Sequence, residues 1–133
     1  MIRSILGVVL GAFVAVVVIF AIQAASMVVY PLPEGTDRSD AESMKAAISG
    51  LPMGAFALLL VGYALGTLVG AWIAATIARR APVIHGLIVG GLFLIGNILN
   101  VSSLPHPMWY VAASVLMFLP VAFVGARLAA RPA

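Results

Sequence analysis

Three charge-free runs restrict the fold of this chain more than any other feature. Between Arg3 and Glu34 lie 30 residues without an acidic or basic side chain, between Lys45 and Arg79 lie 33, and between Arg80 and Arg127 lie 46. A helix needs roughly 20 residues to cross about 30 Å of hydrocarbon, so the first two runs each hold one crossing and the third holds two. The third run must therefore break. Val101-Ser102-Ser103-Leu104-Pro105-His106-Pro107 supplies the break, because two prolines take amides out of any helix passing through it. The predicted fold is an all-α integral membrane protein with a four-transmembrane-helix bundle as its single domain. Its spans lie near 5–30, 51–78, 82–100 and 108–129, and its external loops at 31–50 and 101–107.

Composition excludes the main alternatives. Hydrophobic residues make up 64% of the chain and charged residues 8%, whereas soluble domains hold about 45–50% and about 25%. Soluble enzymes and nucleic-acid modules are ruled out, and the net charge of +3 reads as a topology signal rather than a nucleic-acid footprint. The expected partner is the lipid bilayer. The absence of cysteine removes disulfide frameworks, thiol redox chemistry and cysteine metal clusters. The first apolar stretch resembles a signal peptide, with Ala24-Ala25-Ser26 as a small-residue cleavage site. At about 18 residues it exceeds the usual h-region of about 7–15, which favours retention as a span.

Orientation follows from the basic residues. Arg3, Arg79, Arg80, Arg127 and Arg131 fall on one side of a four-span path, and only Arg38 and Lys45 on the other. The positive-inside rule then puts both termini in the cytoplasm. All four acids, Glu34, Asp37, Asp40 and Glu42, sit in the first external loop. An excess of Ala, Gly and Val, with six arginines against one lysine, is the coding bias of a high-GC bacterium and points to a bacterial inner membrane.

The first external loop carries its own helix signal. Ser39-Asp40-Ala41-Glu42 reads as a capping box with Ser39 as cap, and Gly50 stands where a helix near 40–49 would end. Met44, Ala47, Ile48 and Leu51 share one face of it, as in an amphipathic helix that lids the bundle or lies on the bilayer. A weak internal repeat is also present. A shift of 55 aligns Pro52–Ala75 with Pro107–Ala130, and a shift of 79 matches Gly7, Gly11 and Ile19 with Gly86, Gly90 and Ile98. Low-complexity sequence produces such matches by chance; two pseudo-repeated hairpins are the alternative.

Glycine marks the helix-packing faces. Gly62, Gly66, Gly70, Ala74 and Ala78 recur every four residues, a glycine-zipper pattern that lets another backbone approach. Gly7 and Gly11 repeat it in the first span, and Gly86 and Gly90 in the third. Spacing leaves open whether these faces meet inside one chain or between chains. Pro120 is expected to kink the last span.

Polar groups inside spans are costly in lipid and are the first place to look for function. Counting 1.5 Å per residue, Gln23, Asn97 and Ser114 each lie about 9–10 Å below the external surface. Asn100 and Ser26 sit one turn above, and Tyr63 nearer the middle. One reading is an externally open polar pocket for a small or amphipathic molecule, with Gln23, Tyr63, Asn97, Asn100, Ser114 and His106 as its candidate ligands. The other is plain interhelical hydrogen bonding. At the external rim, His106 with Met27, Met44, Met53 and Met108 resembles a soft-metal environment, but the spacing fits no defined motif and no metal or cofactor is assigned. Trp109, Tyr110 and Tyr30 read as interfacial anchors there, with Trp72 at the opposite face. His85 stands near the basic end.

Enzyme chemistry has little support: no carboxylate lies within a span, and only a pairing of His106 with Asp37 or Asp40 offers a hydrolytic arrangement. Two functions remain. The first is a non-enzymatic protein acting through helix association, as a homo-oligomer or as an accessory subunit of a larger membrane complex. The second is a transporter or binder using the level of Gln23, Asn97 and Asn100.

Overall fold

The computed structural model describes residues 1–103 and 106–130. Among the described residues the chain is all helical, with five helices and no strand: α1 (Ile2–Val29), α2 (Ala41–Ser49), α3 (Met53–Ala78), α4 (Pro82–Ser103) and α5 (Met108–Ala129). Four of them, α1, α3, α4 and α5, are long and apolar enough to cross a membrane. Helix α3 is central and packs against α1, α4 and α5. Helices α4 and α5 form a second close pair, α1 touches α4 only lightly, and α1 and α5 do not meet.

Small residues set these contacts. A Cβ built on Gly70 would lie 2.7 Å from the Gly11 carbonyl oxygen, and one on Gly7 would lie 2.8 Å from that of Ala74. One on Gly66 would fall 2.7 Å from Ile19 Cγ1, and Gly62 is likewise covered by Ile22. The α4–α5 seam is built the same way, with Gly86 against Ala126 and Gly90 against Ala122. Gly125 brings α5 onto the backbone of α3 at Leu68. Each glycine of the packing pattern is therefore occupied inside one chain.

At the end where α3 turns into α4, Arg79 and Ala81 adopt φ of 62° and 46°. That is a costly conformation for residues with a Cβ, imposed by a connection of three residues between two packed helices. Arg3 Nε donates to the Ile77 carbonyl at 3.2 Å, placing a cation on the negative end of the α3 dipole. Arg127 lies over the Phe123 ring, 5.9 Å from its centroid. Arg131 lies outside the described residues, as do Leu104 and Pro105 of the expected break.

The opposite end differs from the sequence reading in two details. Helix α4 runs three residues beyond Asn100, because Ser102 and Ser103 donate to the carbonyls of Ile98 and Leu99 at 2.7 and 2.8 Å. These serines bond back onto the helix instead of breaking it. The cap of α2 is Asp40, whose carboxylate accepts from the Glu42 amide at 3.3 Å. Ser39 is drawn away by Asp37, to whose Oδ1 both its hydroxyl and its amide donate, at 2.6 and 2.9 Å. Gly50 does close the helix, but in right-handed geometry (φ −92°). The left-handed glycine of this loop is Gly35, at φ 82°. The apolar face of α2 packs inward, with Ala47 and Ile48 buried and Met44 and Leu51 against the same cluster.

Two measurements follow. In thermal unfolding in one detergent, Gly70→Ala is expected to lower stability by about 1–3 kcal/mol through overpacking. Gly91→Ala, where a Cβ meets nothing within 4 Å, should raise it by up to about 1 kcal/mol. Equal effects at both sites would contradict backbone contact between α1 and α3. The second concerns pH. The Ser39 hydroxyl and then its amide hold the Asp37 carboxyl below its ordinary range. The loop therefore gains stability above the ordinary aspartate pKa and loses it as pH falls through the lowered value. An NMR titration of Asp37 should show the depressed midpoint, and Ser39→Ala should move it back up.

Candidate functional site

The bundle closes tightly where glycines face one another and opens toward α2. Along α3 the residues on that side change from Gly70, Gly66 and Gly62 to Leu59, Phe56 and Ala55, which line open space. Beneath α2 lies a cavity of about 340 Å³, within the range of small-molecule sites. Gln23 and Ser26 enter it from α1, Tyr63 from α3, Asn100 from α4, and His106 from the segment before α5. Met44, Ile48 and Leu51 form its roof. A groove of about 380 Å³ between α1 and α4 adjoins it, sharing Gln23, Tyr63 and Asn100. No Asp, Glu, Lys or Arg side chain lines either space.

The sequence candidates divide into two groups. Gln23, Tyr63, Asn100 and His106 border the cavity. Asn97 borders the groove, and its Nδ2 donates to Ser114 Oγ at 2.9 Å, while Ser114 donates onward to the Val111 carbonyl at 3.1 Å. Ser114 is fully buried and is a member of this seam, not of either lining. Equal depth had grouped Asn97 and Ser114 with Gln23; the direction in which each helix presents them separates the pair. Asn97 Oδ1 remains without a hydrogen-bond partner, as do the buried hydroxyls of Thr67 and Tyr110.

Behind the cavity lining lies a cluster of ring contacts that sequence reasoning missed. Tyr110 is not an interfacial anchor: it is fully buried, its ring stacked on His106 at 5.0 Å and tilted against Phe56 at 5.5 Å. Phe56 in turn meets His106 edge-on at 5.9 Å. Tyr63 lies against Phe118 at 5.7 Å, and its hydroxyl faces Gln23 and Tyr110, although no hydrogen bond of good geometry closes on Tyr110. The available signal was spacing: Tyr110, Ser114 and Phe118 recur every four residues on one face of α5. Tyr30 bends back so that its phenol covers Gly54, whereas Trp109 and Trp72 are exposed.

The rim residues follow separate paths. Met27 and Met44 line the cavity, with the Arg38 guanidinium 3.9 Å from Met27 Sδ, while Met53 and Met108 are exposed. Asp37 and Asp40 turn their carboxylates to the loop's own amides, and His106 is engaged by the Tyr110 ring. Among the described residues no three His, Asp or Glu side chains gather to hold a metal ion. His85 Nδ1 lies 3.0 Å from the carbonyl of Ala81, the residue that precedes its helix.

Comparison with protein-family models, with curated proteins and with solved structures finds no match for this chain. The site rests on its geometry alone.

The Asn97–Ser114 seam has a measurable signature. A double-mutant cycle with Asn97→Ala and Ser114→Ala should return a coupling of about 0.6 kcal/mol, and no more than about 1.7, as interhelical hydrogen bonds in membranes do. Coupling between Gln23→Ala and Ser114→Ala should be zero within error.

Proposed function

We propose that this chain is a four-span protein of a bacterial inner membrane, with both termini cytoplasmic, that binds or carries a small or amphipathic molecule through an externally open polar pocket. The observation that carries this reading is the pair of adjoining spaces that share Gln23, Tyr63 and Asn100. Uncharged hydrogen-bonding groups from α1, α3 and α4 border open volume there, with the Tyr63 hydroxyl also facing Gln23. The exposed faces of the long helices, including Phe13, Phe20, Leu92 and Leu116, are the surface a bilayer would cover. Arginines at one end and the four acids at the other agree with the positive-inside rule.

Helix association is the second reading. Its main support was the glycine faces, and these are occupied by contacts within the chain. A homo-oligomer or a larger complex would instead have to use large exposed side chains. Two pseudo-repeated hairpins are supported by the parallel use of Gly7 and Gly11 against α3 and of Gly86 and Gly90 against α5. The seats differ by about one turn relative to the proposed alignment.

The chain has no cysteine, so single cysteines test the pocket directly. Ser26→Cys places a thiol in the cavity wall, and Thr67→Cys places one at a fully buried position of α3. In intact cells a small neutral methanethiosulfonate should modify Ser26→Cys at least about tenfold faster than Thr67→Cys, because only a hydrated thiolate reacts. With a charged, membrane-impermeant methanethiosulfonate, Glu34→Cys should react in intact cells and Arg80→Cys only after permeabilisation. An inert Ser26→Cys beside a reactive Glu34→Cys would defeat the open pocket.

A further inference from the structure

The α1–α4 groove has an amphipathic shape of its own. Its upper end is made by Gln23, Tyr63, Asn97 and Asn100, and its lower end by apolar residues down to Val16 and Leu92. From Asn100 to Leu92 the groove follows α4 for roughly 12 Å. Val16, Phe20 and Leu92 at its mouth are well exposed, so the groove opens sideways from the bundle.

Two independent observations point to an occupant. The first is Gly96. Glycine weakens a helix interior, and Gly86 and Gly90 on the same helix offset that through tight contact with α5. A Cβ on Gly96 meets no atom within 4 Å, yet the residue forms part of the groove wall. Its missing side chain keeps the groove open and serves no packing contact. Gly91 is equally free but lines neither space. The second is Asn97, which is nine-tenths buried, borders the groove and leaves Oδ1 unpartnered. Of the unpartnered buried atoms among the described residues, those of Thr67 and Tyr110 belong to residues that border neither cavity nor groove. An unpaired amide oxygen calls for a donor.

We propose that the groove takes the apolar tail of a single-chain amphiphile whose head is neutral and bears hydroxyl or N–H donors, the head lying against Asn97, Gln23 and Asn100. This rests on the pocket reading and names the ligand class for it. Neutrality follows from the groove lining: with no Asp, Glu, Lys, Arg or His along it, an ionic head would lose its water without gaining a counter-charge.

The test is photolabelling of the purified protein in liposomes with a monoacylglycerol carrying a diazirine in its tail, read by peptide mapping. Labelling is expected on Val16–Gln23 and Leu92–Asn100, lost in Gly96→Leu and retained in Gly91→Leu. Both variants raise helix propensity at an open position, and thermal unfolding confirms that each is folded. Labelling of these segments that persists in Gly96→Leu marks bulk lipid and overturns the proposal. So does equal, Gly96-sensitive labelling by an alkyl sulfate with the same tail, which would show that an anionic head is accepted. If Ser26→Cys reacts but groove labelling is absent, the amphiphile assignment fails and the open pocket stands; if Ser26→Cys is inert, both fail.

Discussion

The close approach of α3 to its neighbours is the constraint on which the remaining structure depends. In an apolar chain, helices gain little from hiding more hydrocarbon in lipid, so packing and hydrogen bonds decide which faces meet. Gly70 lies on Gly11, Gly66 on Ala15 and Ile19, and Gly125 on Leu68, which brings backbones together where a Cβ would clash. The same stripe ends at Gly62. Beyond it, Leu59, Phe56 and Ala55 line the cavity instead. The cavity thus begins where the glycines stop. The rings of Phe56, Tyr110 and His106, in mutual contact, brace the open end on the α5 side.

Much of the architecture was legible because membrane-type sequences write it in coarse characters. Charge-free runs marked all four long helices, and the i, i+3, i+4, i+7 spacing of Met44, Ala47, Ile48 and Leu51 marked the buried face of α2. Details decided by one hydrogen bond were not legible. Ser39 looks like a cap until Asp37 competes for its hydroxyl, and Ser102 and Ser103 look like breakers until their hydroxyls bond back to α4. The candidate site was half legible for a related reason. Depth along a span follows from counting, but which neighbour a side chain faces depends on helix rotation, which four weakly amphipathic helices do not encode. Asn97 and Gln23 share a level, yet one has a bonded partner in Ser114 and the other borders open volume. Tyr110 was misread because an aromatic residue near a span end has two common roles, and only the contact with His106 and Phe56 separates them.

The placement of charge determines what such a site can hold. Every acid lies between Glu34 and Glu42, and every base of the described residues lies in that loop or near the opposite helix ends. Between these two layers the chain offers only amides, hydroxyls and rings. An ion entering that region would give up hydration worth several kcal/mol with no opposite charge to replace it, whereas a neutral head exchanges water for equivalent hydrogen bonds at little net cost. The polar groups there are also unequally committed. Asn97 spends its Nδ2 on the structural bond to Ser114 and keeps Oδ1 free, so one amide both locks α4 to α5 and offers an acceptor beside the groove. A residue in that double position is costly to leave half satisfied. Under the proposed amphiphile reading, this buried acceptor beside the groove is the group that a donor-bearing, uncharged head would have to reach.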